Sequence, residues 1–300
     1  MELKALENVM SALPGKPWRE ATMEAAPGLF SAETVNGWVN AGIDRVSLGV
    51  QSFVRAELVR TGRRHDAETV VRDVATLRNR GIENINIDLI SGLPGQTASG
   101  WRESLEAVAK LRVPHVSVYM LEVDDDSRLG SEILLGGKRY GAFDVPDDNR
   151  IADFYETAVE FLKTEGIPRY EISNFARPGF ESLHNLKYWK REPYIGFGSD
   201  AHSFDGKLRW QNTEQAVDYA ARDGIAREET SRAIPEEEKF FVGLRLDEGV
   251  ETDAADWAMH GVAIERCLST GMLEQNGDRL RLTPRGVMVS NEVFEEFLIA

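Results

Sequence analysis

Strand and helix patterns alternate from about residue 18 to about residue 165, which is typical of βαβ units around a parallel sheet. Apolar side chains at helical spacing predict helices over residues 31–42 and 67–80. Each of these helices stops at a glycine, Gly42 or Gly81, the residue that most readily adopts the left-handed conformation of a helix C-cap. The sequence therefore predicts an α/β fold built on a partial parallel (βα) barrel.

Each predicted strand of this barrel ends in a polar side chain. The four side chains belong to Glu24, Gln51, Asp88 and Glu122, and each follows a short β-branched or apolar run. In a parallel barrel the carboxyl ends of the strands face one mouth, where such barrels keep their active sites. We therefore expect these side chains to converge at the mouth and to form a candidate site.

The pattern changes downstream of the barrel. Glycine and aromatic residues without a clear period fill residues 176–230, which we interpret as an ordered loop region. Residues 231–300 hold an apolar helix and a short strand that leads into a final helix, an α+β pattern that resembles a winged helix. This segment has fourteen acidic residues against seven Lys and Arg, which argues against DNA binding. The predicted domains are thus 1–175, 176–230 and 231–300.

The composition excludes several classes of protein. The 300 residues are 42% hydrophobic and carry a formal net charge of −15, which disfavours a nucleic-acid surface because phosphate contacts need clustered Lys and Arg. The longest apolar runs are far shorter than the roughly 18 residues of a membrane helix. Residues 1–4 begin no cationic, apolar signal sequence. A cytoplasmic location is the resulting expectation.

The single cysteine, Cys267, limits the redox chemistry. One thiol excludes an intramolecular disulfide and leaves too few thiolate ligands for a protein-held [4Fe–4S] cluster. We therefore expect no such cluster to be ligated by this chain.

Several ordered motifs resemble those of one known family. They are Glu24–Gly28, Ser47–Phe53, Gly62–His65, Asn86–Thr97, Glu171–Pro178, His184–Trp189 and Leu282–Gly286. Together they resemble the HemW family, the radical-SAM haem chaperones related to oxygen-independent coproporphyrinogen III oxidase. The resemblance extends from near residue 3 to the C-terminus, and it implies a barrel of the radical-SAM type.

The resemblance implies that S-adenosylmethionine lies across the barrel mouth. The positions that match the family's binding residues are Glu24, Gln51, Arg63 and Asp88, and the strand ends already indicate three of them. Carboxylate and amide groups can hold the ribose hydroxyls and the ammonium group, and an arginine can pair with the ligand's carboxylate. The alternative is that Gln51 and Asp88 only satisfy backbone groups at the barrel rim.

The resemblance also ties the segment from His184 to Trp189 to haem binding. A neutral imidazole is a normal axial ligand of haem iron, so His184 is the candidate metal ligand. Tyr188 and Trp189 are candidates for a flat aromatic wall against the porphyrin. On the residues alone, a lone histidine near aromatic residues is more often structural. His65 and His202 are reserve candidates that also suit a hydrogen-bonding role at the rim.

The chain departs from the family at its N-terminal side. The family carries three closely spaced cysteines after the first barrel strand, as ligands to one [4Fe–4S] cluster, and a glycine-rich end on the second strand. Neither feature is present. Leu3, Leu6 and Met10 lie at helical spacing, so we expect the chain to begin in the helix after the second strand, which leaves the barrel N-terminally incomplete. Two explanations stay open: a fragment or misplaced start codon, which we favour, or a natural degenerate form that keeps only haem or partner binding.

The function that the resemblance implies is haem binding and delivery of haem to respiratory proteins. Its ligands would be S-adenosylmethionine and haem, with a [4Fe–4S] cluster only in the full-length family, and a peripheral membrane contact belongs to the same expectation. Without the cluster there is no electron source to cleave S-adenosylmethionine, so this chain alone cannot run a radical reaction. The alternatives are a coproporphyrinogen III oxidase-like oxidoreductase in the full-length form, and a degenerate ligand-binding barrel.

Overall fold

Two units build the chain, Met1–Glu181 and Ser182–Ala300. The computed structural model describes residues 2–123, 128–137, 139–221 and 227–298. The first unit contains the predicted alternation of strands and helices, and the second contains antiparallel sheets with helices.

The first unit is built on one mixed sheet in the order β1-β2-β3-β4-β6-β5. Its elements are α1 (Leu3–Ala12), β1 (Thr22–Ala25), α2 (Ala32–Ala41), β2 (Arg45–Gln51), α3 (Arg55–Arg60), α4 (Ala67–Arg78), β3 (Asn84–Ser91), α5 (Ala98–Leu111), β4 (His115–Met120), α6 (Arg128–Leu134), a 3₁₀ helix (Arg139–Asp144), α7 (Asp148–Thr164), β5 (Arg169–Glu171) and β6 (Asn174–Ala176). Strands β1 to β4 are parallel, which confirms the predicted α/β fold. The short hairpin of β5 and β6 then continues the sheet in antiparallel pairing with β4.

The two faces of this sheet differ in polarity because successive side chains of a strand point to opposite faces. One face carries fully buried aliphatic side chains: Val46, Leu48, Val50, Ile85, Ile87, Leu89, Val116 and Val118. The opposite face carries buried polar side chains from the same strands: Arg45, Ser47, Asn86, His115 and Ser117. Burying polar groups costs free energy unless they are hydrogen-bonded, so this second face is suited to a network or a ligand rather than to a packed core.

Side-chain caps define where the helices begin. Ser31, Asp66, Thr97 and Asp147 each accept a hydrogen bond from a backbone N–H in the first turn of α2, α4, α5 and α7. A cap of this kind stabilises a helix by about 1 kcal/mol. At the other end of α2, Gly42 has a φ of 98°, the left-handed conformation expected of a C-cap. These local signals explain why α2 and α4 were predictable.

The N-terminal helix α1 packs against α2. Leu6 and Met10 of α1 are buried, which confirms the predicted helical spacing. Leu3 lies so close to Gly37 of α2 that a Cβ atom at Gly37 would come within 2.5 Å of Leu3 Cδ2. A glycine in mid-helix costs about 1 kcal/mol, and here it allows the two helices to approach closely.

The second unit contains two antiparallel sheets in the part of the chain that the structure describes, with strand orders β7-β8-β9 and β10-β12-β11. Its elements are α8 (Leu183–Trp189), β7 (His202–Phe204), β8 (Leu208–Asn212), α9 (Ala216–Ala221), β9 (Arg227–Arg232), α10 (Pro235–Gly243), β10 (Val250–Glu251), α11 (Ala254–Ser269), β11 (Leu273–Asn276), β12 (Arg279–Leu282), α12 (Pro284–Met288) and α13 (Ser290–Glu295).

The structure corrects the interpretation of residues 176–230 as a loop region. That segment contains α8, α9 and the sheet of β7, β8 and β9. Its strands are short and pair with one another across turns, so no strand is long enough to display a clear sequence period. The segment also belongs with the C-terminal residues to one unit, because the division of the chain falls after Glu181.

Aromatic side chains form the core of the C-terminal part. Phe240 of α10 and Phe297 stack with ring centroids 4.5 Å apart and an interplanar angle of 5°. The buried imidazole of His260 meets Phe240 edge-on at 4.9 Å. Helices and a three-stranded sheet around this core, within the described residues, agree with the predicted α+β pattern. None of the helices described is long and apolar enough to cross a membrane.

Candidate functional site

The polar face of the first unit's sheet gathers side chains from neighbouring strands. Glu24 on β1 is in register with Ser47 on β2. The Ser47 hydroxyl donates to the Asp88 carboxylate on β3 at 3.2 Å, and Asn86 Nδ2 donates to Asp88 Oδ1 at 2.6 Å. The parallel register therefore brings Glu24 and Asp88 to the same region of this face, as the strand ends predicted.

A buried hydrogen-bond network connects Asp88 to Tyr170 through Asn86 and His115. Asn86, which donates to Asp88, accepts through its Oδ1 from His115 Nδ1 at 2.6 Å. His115 Nε2 in turn accepts from the Tyr170 hydroxyl at 3.0 Å. Burial, and then the charge of Arg45, lowers the pKa of His115 well below its usual value. The imidazole is therefore neutral, so it can donate to one neighbour and accept from the other.

The environment of Asp88 favours a ligand that donates hydrogen bonds. Burial raises the pKa of Asp88, and the nearby charge of Glu24 raises it further. Hydrogen bonds from Ser117, Asn86 and Ser47 lower the pKa but do not offset the burial. A ligand hydroxyl or ammonium group placed between the two carboxylates would stabilise their charged forms.

Gln51 occupies a strained position at the end of β2. The pairing of β2 with β3 shifts between Leu48 and Gln51, so the strand contains a bulge there. Gln51 has a φ of 70°, in the left-handed region that non-glycine residues seldom adopt. Its amide lies over Gly49, where a Cβ atom would be 3.2 Å from Gln51 Nε2. Backbone strain of this kind costs about 1–3 kcal/mol and clusters at ligand-binding sites.

A buried carboxylate holds the loop that carries Gln51. The Ser52 hydroxyl donates to Glu57 Oε2 at 2.7 Å, and Gln96 Nε2 donates to the same oxygen at 3.1 Å. Gln96 Oε1 accepts from the backbone N–H of Gly92 at 2.7 Å. Glu57 therefore ties the loop after β2 to the loop after β3.

The remaining predicted residues of this site are placed less centrally. Arg63 is exposed in the segment between α3 and α4, where its charge acts on His65. Glu122 is exposed beyond the end of β4. Two side chains of β4 lie close to Asp88: Ser117 hydrogen-bonds to its carboxylate, and Tyr119 lies within range of its charge. Burial raises the pKa of the Tyr119 hydroxyl, and the charge of Asp88 raises it further. The alternation of residues 115, 117 and 119 on one face could have identified Tyr119 from the sequence.

The two reserve histidines have different surroundings. His65 is buried, and its Nε2 donates to the Val50 carbonyl at 3.0 Å. Burial lowers the pKa of His65 in spite of that hydrogen bond. The side chain thus fixes the end of β2, the hydrogen-bonding role named as its alternative. His202 is exposed on β7.

The second predicted site lies on α8, in the second unit. Ser182 caps this helix by accepting from the Asn185 backbone N–H at 3.3 Å. His184 and Tyr188 are four residues apart and therefore share one helix face. His184 Nε2 and the Tyr188 hydroxyl are 3.1 Å apart, and their rings meet edge-on at 4.9 Å. His184 is exposed, so a planar ligand can reach its ring.

Trp189 and Tyr188 are neighbours on α8 whose rings point in different directions. Their ring planes are inclined by 59°, with centroids 6.4 Å apart, because consecutive helical residues point about 100° apart. The Trp189 ring lies under the guanidinium of Arg245 at 4.4 Å, and its indole nitrogen is buried. The two rings therefore do not lie in one plane: the ring of Tyr188 lies beside His184, and Trp189 packs against Arg245. A flat aromatic wall against the porphyrin stays a prediction.

The donor set of this chain does not fit a [4Fe–4S] cluster. Cys267 is the single cysteine, it is buried, and burial raises the pKa of its thiol. In the part of the chain that the structure describes, no group of three or more His, Cys, Asp or Glu side chains is arranged to hold a metal ion. The carboxylates at the barrel mouth fit S-adenosylmethionine, and the exposed imidazole of His184 fits a haem iron.

Comparison with protein families matches two segments of the chain. Residues 1–108 match the Radical SAM superfamily, and residues 236–289 match the HemN C-terminal domain. The first segment contains Glu24, Gln51 and Asp88. The second contains α11 and the sheet of β10, β11 and β12.

Curated relatives match nearly the whole chain. A protein of Lactococcus lactis named heme chaperone HemW is 34% identical over 291 residues, which cover 93% of this chain and 76% of the relative. The protein of the same name from Bacillus subtilis is 32% identical over 312 residues, which cover 99% and 81%. Among solved structures, coproporphyrinogen III oxidase (HemN) from Escherichia coli, described as a radical SAM enzyme, has the same fold. Its TM-score is 0.83 at 18% identity, over 99% of this chain and 74% of that one.

Proposed function

Because this chain belongs to the HemW family of heme chaperones, we propose that it binds haem through His184 and passes it to a haem-accepting respiratory protein. The observation that carries the proposal is the exposed imidazole of His184 on α8, beside the Tyr188 ring. A neutral imidazole supplies the axial bond that haem iron needs, and a neighbouring aromatic ring supplies apolar contact for the macrocycle.

The barrel mouth supports a second ligand, S-adenosylmethionine. Glu24 and Asp88 offer carboxylate acceptors on adjacent parts of the polar face, and Gln51 offers an amide from its strained position. Arg63 is exposed and can pair with the ligand's carboxylate in a forked geometry. In the family a [4Fe–4S] cluster supplies the electron for reductive cleavage of this ligand. The single thiol of this chain, Cys267, cannot supply the ligands of such a cluster.

A carrier must hold haem reversibly, and the site on α8 suits that requirement. His184 lies at the surface on a short helix, so iron bound there stays accessible to an acceptor protein. A single axial ligand and one adjacent ring give fewer contacts than a closed haem pocket, which favours transfer over retention. An exposed ligand of this kind favours a chaperone over an oxidase that must enclose its porphyrin substrate.

Haem titration followed by absorption spectroscopy tests the proposal. We expect stoichiometric binding to the wild-type chain and at least tenfold weaker binding to His184→Ala, because the axial bond is lost. His202→Ala is the comparison variant, since His202 is an exposed histidine of the same unit outside α8 and a reserve candidate ligand. It should bind as the wild type does, and a loss confined to His202→Ala would assign the iron to His202 instead. Equal affinities for His184→Ala and the wild type would contradict the proposed ligand.

A further inference from the structure

A cluster of charged side chains lies near α8 in the second unit and consists of Glu238, Arg209 and Arg191. Glu238 of α10 is buried and accepts two parallel hydrogen bonds from Arg209 of β8, Nε to Oε1 at 3.0 Å and Nη2 to Oε2 at 2.8 Å. Arg191 Nε donates to Glu238 Oε2 at 3.3 Å. A bidentate arginine–carboxylate pair fixes direction as well as distance, so the Arg209 side chain is held rigidly.

Arg209 in turn holds Tyr194. Its Nη1 donates to the Tyr194 hydroxyl at 3.3 Å, and its guanidinium lies 4.3 Å from the Phe204 ring centroid. The backbones of Tyr194 and Phe204 exchange two hydrogen bonds, at 2.8 and 2.9 Å. Tyr194 is therefore fixed at both its backbone and its hydroxyl.

Tyr194 completes the connection to the candidate haem ligand. Its ring meets the Tyr188 ring edge-on, with centroids 4.6 Å apart and an interplanar angle of 74°. The Tyr188 hydroxyl then contacts His184 Nε2 at 3.1 Å. Contacts thus run without interruption from Glu238 through Arg209, Tyr194 and Tyr188 to His184.

The nitrogen engaged by Tyr188 is the one that a haem iron can reach most easily. Nδ1 of an imidazole adjoins the ring carbon that carries Cβ, whereas Nε2 projects away from the backbone and leaves room for a flat macrocycle. A tyrosine hydroxyl carries its proton at neutral pH, and at 3.1 Å it can donate to Nε2. Iron and the Tyr188 hydroxyl would then compete for the same lone pair.

We propose that the Tyr188 hydroxyl is a latch on His184, which means that it hydrogen-bonds to Nε2 when haem is absent. Tyr194, Arg209 and Glu238 are positioning residues that hold this hydroxyl against Nε2. The inference rests on the proposed haem ligand and adds how haem is released. When haem is released, the Tyr188 hydroxyl hydrogen-bonds to Nε2. This hydrogen bond lowers the free-energy cost of haem release. Glu238 lies in the segment that matches the HemN C-terminal domain, so that domain contributes one of the three positioning residues.

Tyr188→Phe tests the latch directly, since phenylalanine keeps the ring against Tyr194 and removes only the competing hydroxyl. Loss of one hydrogen bond that opposes binding should tighten haem binding about fivefold. Release of haem to excess apomyoglobin, used as a scavenger, should slow by a similar factor. Damage to the fold would have the opposite effect, so a gain in affinity separates the latch from a structural role. Unchanged or weaker binding by Tyr188→Phe would overturn the proposal.

Arg209→Lys tests the positioning residues. Lysine keeps the charge beside Glu238 but lacks the planar fork that also reaches Tyr194. We expect about twofold tighter haem binding, because the latch is held less firmly, and no further gain when the change is added to Tyr188→Phe. Tyr194→Phe, which removes only the hydroxyl that accepts from Arg209, should act in the same direction. Weaker binding by both single variants would overturn the positioning role.

The double variant His184→Ala/Tyr188→Phe distinguishes failure of the latch from failure of the proposed function. The gain from Tyr188→Phe must vanish when His184 is absent. If His184→Ala alone leaves haem affinity unchanged, both the ligand and the latch are wrong. If His184→Ala loses affinity while Tyr188→Phe does not gain it, the latch alone is wrong.

Discussion

Each unit of this protein contains a buried glutamate next to a candidate ligand site, Glu57 in the first unit and Glu238 in the second. The electrostatic environments of these two carboxylates are opposite. Within the described residues, the side-chain donors to Glu57 are the neutral groups of Ser52 and Gln96, and burial raises the pKa of Glu57 above the usual 4.5. Burial alone would also raise the pKa of Glu238, but the hydrogen bonds and charges of Arg209 and Arg191 outweigh it, and the pKa is lowered. The loops at the barrel mouth are thus fixed by hydrogen-bond geometry, and the α8 face by charge.

Because of this difference, we expect removal of the carboxylate charge to destabilise the protein more at Glu238 than at Glu57. This is the largest effect expected. Glu238→Gln leaves two arginines without their counter-ion, and we expect a loss of about 2–3 kcal/mol of stability. This lies below the usual cost of breaking a buried pair because both arginines are partly exposed. Glu57→Gln retains an oxygen that can accept the same hydrogen bonds and should stay within about 1 kcal/mol of the wild type. Urea denaturation of both variants measures the contrast, and equal losses would refute it.

We also expect the two regions to differ in their effect on ligand affinity. Asp88→Asn removes a charged acceptor at the barrel mouth, and we expect S-adenosylmethionine affinity to fall roughly thirtyfold, about 2 kcal/mol. Affinity for the wild type should also decline as the pH falls through the raised pKa of Asp88, and this decline should be absent in Asp88→Asn. Titration calorimetry measures both effects.

Two controls sharpen that experiment. Glu122→Gln changes an exposed carboxylate beyond the end of β4 and should leave the affinity unchanged. His184→Ala should also leave it unchanged, because we assign His184 to haem and not to S-adenosylmethionine. A loss in Glu122→Gln equal to that in Asp88→Asn would show that the mouth extends further along β4 than the contacts indicate.

The pH dependence of stability gives a smaller, signed test. The ionised form of Glu57 costs stability at neutral pH, and this cost disappears as the pH falls through its raised pKa. The contribution of Glu238 is present above pH 4.5 and is lost as the pH falls through its lowered pKa. Relative to Glu57→Gln, the wild type should therefore gain stability as the pH falls from about 7 to 4.5. Relative to Glu238→Gln, it should lose stability only below pH 4.5. Changes of the same sign in both comparisons would contradict the assignment.

Much of the first unit could be predicted because its signals are local. Ser31, Asp66 and Thr97 mark helix starts through contacts within one turn, and Gly42 marks a helix end. Alternation along the parallel strands places Asp88 on the polar face. Ser117 and Tyr119, the side chains of β4 near Asp88, were missed because Glu122, the polar residue chosen from the sequence, lies beyond the end of the strand.

The second unit was less predictable because its determinants are non-local. Strands β7, β8 and β9 are short, and each is stabilised by pairing with another segment rather than by its own pattern. The contact of His184 with Tyr188 follows from helical spacing and could have been found. The connection of Tyr194, Arg209 and Glu238 joins three separate segments, and no sequence period indicates it.

The central claim is that haem iron is bound by His184. The most direct test is the absorption and electron paramagnetic resonance spectrum of the ferric haem complex at saturation, because it reports the axial ligand rather than the affinity. The wild type and His202→Ala should share one histidine-ligated spectrum, and His184→Ala should lose it. A His184→Ala complex with the unaltered histidine-ligated spectrum would contradict the claim.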